Sequence, residues 1–243
     1  MDAPPKFELL RFSGAAELAR AAAQAWVDQL EQQAATGDTY TVALPGGRIA
    51  AEFFASSVEL IRSREASLGG AHFFWADERC VPPDRVDSNF AVAHRGLFAP
   101  LAILQEQIHR IRGEADPQFA VAEAEAELCR VAPMQPDGTP VFDLVLLGMG
   151  EDGHVASLFP GAPAAVTEAR TPFLHITNSP KPPTQRITVS YPVLAAAREV
   201  WVLISGQNKE AALRESLSGS GRTPLARVVQ SRERTRIFTD AVI

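Results

Sequence analysis

The chain has 243 residues and a mass of 26.2 kDa, with 46% apolar and 21% charged residues, 16 glycines and 18 prolines. A chain of this length buries roughly 70 to 75% of its unfolded surface. With no repeat or low-complexity tract, that excludes disordered, collagen-like and solenoid proteins. The 23 basic and 29 acidic side chains give a net charge of −6 and a pI near 5.4, which argues against nucleic acid as a partner, because nucleic-acid binders gather a basic face.

The opening MDAPPKFELLRF carries two prolines and no apolar run behind a basic stretch, so it does not read as a signal peptide. Nowhere do 18 apolar residues run together, and no membrane partner is expected. Cys80 and Cys129 have no CxxC spacing and no histidine at ligand distance. Reduced structural thiols in a cytoplasmic protein are therefore expected.

Short runs rich in Val, Ile, Leu and Phe predict strands over 7–12, 40–44, 72–75, 142–147, 173–177, 186–190, 200–204 and 236–238. Segments with helical periodicity fall between them, over 15–33, 49–63, 89–97, 119–131 and 209–217. This alternation predicts an α/β protein, a single domain over 1–243 with one mostly parallel sheet covered on both faces. The nearly unbroken apolar run DLVLLGMG marks the central strand. In such sheets ligands bind beyond the carboxyl ends of the strands, so chemistry is sought in the residues that follow each strand.

Five segments stand out there. In LPGGRIAAEFF, Gly46 and Gly47 let the backbone approach a ligand at a helix start, where free N–H groups accept an anion, and Arg48 adds a charged fork. FFWADERCVPPDRVDSNF runs a hydrophobic strand straight into Asp77, Glu78 and Arg79. LLGMGEDGHVASLFPG sets His154 in a glycine-rich turn, with a short helix expected near it. Imidazole, with an ordinary pKa of about 6.5, suits proton transfer near neutral pH. PKPPTQRITVSYPVL opens a strand on Arg186, and LISGQNKEAAL starts a helix at Lys209. Arg48, Arg79, Arg186 and Lys209 thus lie near strand ends, where they could converge on one phosphate. His72, His94, His109 and His175 have no partner at metal-ligand spacing, so no metal is expected, and no GxSxG elbow occurs.

The blocks FWADERCVPPDRVDSNF, DLVLLGMGEDGHVASLFPG, PPTQRITVSYPVL and LISGQNKEAAL occur in one order over nearly the whole chain. In them the sequence resembles the 6-phosphogluconolactonase family, within the wider glucosamine-6-phosphate deaminase-like group. The resemblance implies a three-layer α/β/α sandwich with a modified Rossmann-like sheet. It implies hydrolysis of a sugar-phosphate lactone, 6-phospho-D-glucono-1,5-lactone, without a cofactor. By the same resemblance His154 is the general base, Arg79 contacts the substrate phosphate, Arg186 and Lys209 are further phosphate ligands, and Asp77 and Asp152 are acidic residues beside the site. Backbone N–H groups around Gly148 to Gly150 are candidate oxyanion donors. One departure is visible: the family's GGSTP or GGRTP loop here reads GGRIA, so Ile49 and Ala50 replace a hydroxyl and a proline.

Two other readings have sequence counterparts. A glucosamine-6-phosphate deaminase carries a glutamate shortly after its DGH histidine, where this chain has Ser157, Leu158 and Phe159. A non-catalytic sugar-phosphate sensor would dispense with His154, which is present.

Overall fold

The computed structural model describes residues 6–243. Its strands are β1 (Phe7–Arg11), β2 (Tyr40–Leu44), β3 (Ala71–Trp75), β4 (Asp77–Arg79), β5 (Leu144–Gly148), β6 (Phe173–Ile176), β7 (Arg186–Val189), β8 (Glu199–Ile204) and β9 (Thr235–Thr239). The α-helices are α1 (Ala15–Thr36), α2 (Arg48–Arg64), α3 (Asn89–Ala93), α4 (Ala99–Leu101), α5 (Pro117–Val131), α6 (Ala164–Thr167), α7 (Tyr191–Ala196), α8 (Glu210–Leu217) and α9 (Pro224–Gln230).

Six strands form one wholly parallel sheet in the order β1-β9-β8-β5-β2-β3, flanked by helices. All five residues of β2 and four of the five of β5 are buried, as strands covered on both faces require. The helices answer with apolar stripes. In α1 the buried positions are Leu18, Ala19, Ala22, Ala23, Trp26, Val27 and Leu30, the 3.6-residue period of one face. Trp26 packs 5.4 Å from Phe53 of α2 and edge-on to Phe73 of β3 at 6.4 Å, binding both helices to the sheet. A fully buried aromatic contributes about 1.5–3 kcal/mol through lost water contact.

From β2 the chain moves to the β3 edge, whereas from β5 it moves the other way through β8 to β9. The crevice between β2 and β5 is therefore the topological switch point, where the loops after adjacent strands part and leave room for a ligand.

A second sheet, β4-β7-β6, is antiparallel. This corrects the expectation that the strands over 173–177 and 186–190 join a single sheet. Its first strand went unread because Asp77-Glu78-Arg79 looks like a solvated turn. Ala76 alone separates β3 from β4: its N–H donates to Leu44 O (3.1 Å) in the large sheet and its carbonyl accepts from Val189 N (2.9 Å) in the small one.

The helix expected over 89–97 is instead α3, a π-turn over His94–Phe98, and α4. Gly96 sits in that turn against Phe54, where an added Cβ would lie 3.4 Å from the ring-bearing carbon. The short helix expected near His154 is replaced by turns, because Gly153 (φ +77°) and Ala156 (φ +49°) take left-handed conformations that a helix forbids. Helices α6, α7 and α9 were not expected, although Thr223-Pro224 is a capping signal: the Thr223 hydroxyl accepts from Ala226 N at 3.0 Å and proline fills the first turn.

Candidate active site

The switch-point crevice opens into a cavity of about 440 Å³ lined by Gly46, Gly47, Arg48, Asp77, Arg79, His154, Arg186 and Lys209. Of the residues expected to act on or bind a ligand, Asp152 alone does not line it, and it contacts His154 instead.

The glycine loop after β2 needs its small residues for two different reasons. Gly47 has φ +87°, which only glycine adopts without strain. At Gly46 the obstacle is space, since an added Cβ would sit 2.5 Å from Asn89 Oδ1. Gly47 has no side chain to cap α2, and although Ala50 N–H donates to Gly47 O at 3.3 Å, the N–H groups of Arg48 and Ile49 at the start of that 17-residue helix stay open to an anion. Ile49 and Ala50 are buried in the core at 6% and 0% exposure. The departure from the familiar loop wording thus places one apolar side chain, Ile49, at the cavity wall and the other, Ala50, in the core.

After β5, the turn over Gly150 and Gly153 folds His154 back on itself. Gly150 N–H donates to His154 O at 2.9 Å, which removes Gly150 from the candidate oxyanion donors. His154 Nδ1 lies 2.5 Å from Asp152 Oδ1. With Asp152 accepting the Nδ1 proton, Nε2 carries the lone pair, and it has no protein partner among the described residues. Burial pushes the imidazole pKa below its usual value, and the Asp152 hydrogen bond only partly opposes that. The Asp152 carboxyl, for which burial works upward, is held low by its bond to His154.

The small sheet brings Asp77, Arg79 and Arg186 to the same cavity, Arg79 and Arg186 being register partners across β4 and β7. Asp77 accepts from Ser157 Oγ (2.6 Å) and Asn89 Nδ2 (3.2 Å). Arg79 donates to Asp87 O at 2.7 Å, while its Nε is buried without a partner. An orphaned guanidinium N–H beside a polar cavity is a donor waiting for an anion. Arg186 is more committed: Nε donates to Pro183 O and Nη2 to Lys181 O, both at 2.9 Å, and only Nη1 remains near Ser157 Oγ (3.4 Å) and Asp77 (3.9 Å).

Lys209 closes the cavity opposite. Burial, then the nearby Arg48, push its ammonium pKa down. The preceding loop is pinned by Asp240, which accepts from Ser205 Oγ (2.6 Å) and Gly206 N (2.8 Å).

Sequence reasoning passed over three supporting residues. Glu78, 3% exposed, accepts from Ser88 Oγ and from the backbone N–H groups of Arg79, Asn89 and Phe90, capping α3 from outside the helix. Asn89 bridges Gly46 to Asp77, and Asp240 orders the approach to Lys209. The adjacent Cys80 is no thiolate, because burial and then the negative Glu78 push its thiol up to about 11.

A histidine–carboxylate pair at the switch point of a parallel sheet, faced by two arginines on one side and an arginine and a lysine on the other, defines an α/β protein with an acid–base site built for an anionic ligand. A family model for glucosamine-6-phosphate isomerases/6-phosphogluconolactonase matches residues 13–237, and the chain belongs to that family.

Among its relatives, a protein named probable 6-phosphogluconolactonase 4, chloroplastic, from Oryza sativa subsp. indica is 34% identical over 224 residues, which are 87% of this chain and 66% of the rice protein. The 6-phosphogluconolactonase of Treponema pallidum is 34% identical over 80% of this chain and 79% of its own. The solved structure of 6-phosphogluconolactonase from Trypanosoma brucei superposes with a TM-score of 0.81 at 26% identity, covering 98% of this chain and 97% of that one. The chain thus spans about two thirds of the rice relative's length and nearly all of the trypanosomal structure.

Proposed function

We propose that this chain, acting as a single domain, hydrolyses 6-phospho-D-glucono-1,5-lactone to 6-phospho-D-gluconate. The observation that carries the reading is the His154–Asp152 pair opening onto a cavity whose other walls carry Arg48, Arg79, Arg186 and Lys209. Family membership and the names of the relatives support the same reaction.

In this reading neutral His154 takes a proton at Nε2 from water as the water oxygen attacks the lactone carbonyl carbon. Asp152 holds the Nδ1 proton and steadies the imidazolium that forms. The tetrahedral intermediate collapses by breaking the bond from the carbonyl carbon to the ring oxygen. That oxygen takes the proton back from His154 and leaves as the C5 hydroxyl. The products are a carboxylic acid, which ionises to solvent, and the unchanged phosphate. No electrons are exchanged, and no cofactor is required. The phosphate, gripped by Arg79 and the opposing cations, holds the carbonyl within reach of the base. Asp77, held by Ser157 and Asn89 at the cavity wall, orients the sugar beside His154.

The deaminase reading is disfavoured at Phe159, which stands where that loop would carry its glutamate and whose ring lies 4.6 Å from the His154 ring. Free Cys80 and Cys129 support a reducing, cytoplasmic setting, and no helix among the described residues is long and apolar enough to cross a membrane.

The test is hydrolysis of 6-phosphogluconolactone and of unphosphorylated gluconolactone by the purified protein. A kcat/KM at least tenfold higher for the phosphorylated lactone is expected, and turnover no faster than the uncatalysed rate would overturn the proposal.

A further inference from the structure

The loop over 180–183 brings a further cation to the outer side of Asp152. Lys181 Nζ lies 4.0 Å from Asp152 Oδ1, the same oxygen that receives His154 Nδ1. The loop that carries it is not free to wander. Arg186, at 5% side-chain exposure, holds the carbonyls of Lys181 and Pro183, and Ser179 Oγ donates to Lys181 O at 2.8 Å. The Phe159 ring lies between the two elements, 4.6 Å from the His154 ring on one side and 5.6 Å from the Arg186 guanidinium on the other. The most committed donors in the cavity therefore fix the backbone of the loop from which the half-exposed Lys181 side chain reaches Asp152.

We propose that Lys181 is a positioning residue: its ammonium, reaching from a loop whose backbone Arg186 anchors, faces the Asp152–His154 pair and keeps the imidazole in the neutral form that can accept a proton. The charges around His154 are Asp152 on its own turn, Asp77 and Arg79 from β4, Arg186 from β7, Lys181 from the proline loop, and Arg48 with Lys209 across the cavity. Burial is the largest influence on His154; Asp152 favours its protonated form, Lys181 opposes it, and Asp77 favours it weakly. Removing Lys181 leaves the two carboxylates less opposed, so protonation of His154 becomes easier.

The kinetic part of the inference rests on the lactonase reading, but the electrostatic part does not. In Lys181→Met the His154 midpoint, followed by its ring-proton NMR signal and assigned by comparison with His154→Ala, is expected to rise by about 0.5 pH unit, the scale for a half-exposed ion pair. The acid limb of kcat/KM should move with it, so that one unit below the wild-type limb activity falls a further factor of about three. Lys181→Arg should restore both. An unmoved midpoint in a folded Lys181→Met protein would overturn the inference, and so would a raised KM on an unmoved limb, which would assign Lys181 to direct substrate contact. If wild type turns over no lactone, the functional reading fails, and the NMR midpoint still decides the role of Lys181.

Discussion

Two histidine–carboxylate pairs exist among the described residues, and they have different fates. His154 and Asp152 meet at the end of β5, facing a cavity of about 440 Å³ with cations on its other walls. His109 meets Glu127 of α5 at 3.1 Å, while its other ring nitrogen lies 2.9 Å from His72 of β3. The His109 ring is stacked 4.4 Å from Phe74, and its side chain is only 5% exposed. Both clusters have an imidazole lowered by burial and a carboxylate to orient it. Only the first has room for a reactant and a charged wall to position one. A histidine–carboxylate contact is thus not in itself a sign of catalysis; empty volume beside Nε2 and separate anchoring charges make the difference.

The sharpest way to break the comparison is His154→Ala. Loss of a general base should lower kcat by about 10² to 10⁴ with folding little changed, and near-wild-type turnover would place the chemistry elsewhere. In the wild type, kcat/KM should fall as pH drops through a His154 midpoint below the ordinary value of about 6.5, because protonation removes the base; a flat acid limb would deny it that role. Gly150→Ala tests geometry alone. The new Cβ would sit 2.0 Å from His154 Cε1 and 2.6 Å from Asp152 Oδ1, so the pair must shift. A misplacement on that scale should cost about 10² in kcat, measured beside a circular-dichroism check of folding.

Arg79→Ala should reduce kcat/KM by about 10- to 150-fold on the phosphorylated lactone, the loss of one charged hydrogen bond, and barely touch the unphosphorylated one. Equal proportional losses on both substrates would remove Arg79 from the anchor.

At the packed pair, His109→Leu should lower stability by about 1–2 kcal/mol through lost stacking and hydrogen bonds, read as a reduced denaturant midpoint, with kcat unchanged. Burial depresses both His72 and His109. Protonation therefore favours the unfolded chain, and the stability they contribute above about pH 6.5 is lost as pH falls through their folded midpoints. The variant should lose part of that acid sensitivity. The smallest expected effect is none at all: exhaustive chelation should leave activity intact, since no group of three or more His, Cys, Asp or Glu side chains among the described residues could hold a metal. Activity abolished by chelation and restored by one added metal would reverse that view.

Much of this site was legible because its residues follow strands that burial makes unmistakable. Arg48, Arg79, His154 and Lys209 each come within a few residues of an apolar run, and the sheet order turns that sequence rule into convergence. Arg186 could be read as near the cavity, but which of its N–H groups are free is a matter of carbonyls in the preceding proline loop, which no pattern encodes. Glu78 and Asn89 looked like parts of a solvated charged turn, because a buried carboxylate that caps a helix eleven residues away has no local period. Lys181 was hidden for the same reason, as a charge in a proline-rich loop whose significance lies in what it faces.

The residue between the two sheets bears on how such a pocket responds to ligands. Ala76 gives its N–H to β2 and receives Val189 N–H on its carbonyl, so one amino acid is stitched into both sheets at once. Rotation of the small sheet away from the large one would break a hydrogen bond on one side or the other. Asp77 and Arg79, one and three residues downstream, are therefore tethered to the end of β2 from which the glycine loop springs. A lock whose wards are riveted to its frame turns without being reshaped by the key: molecules matched to this cavity in shape and charge should associate without waiting for the two sheets to close.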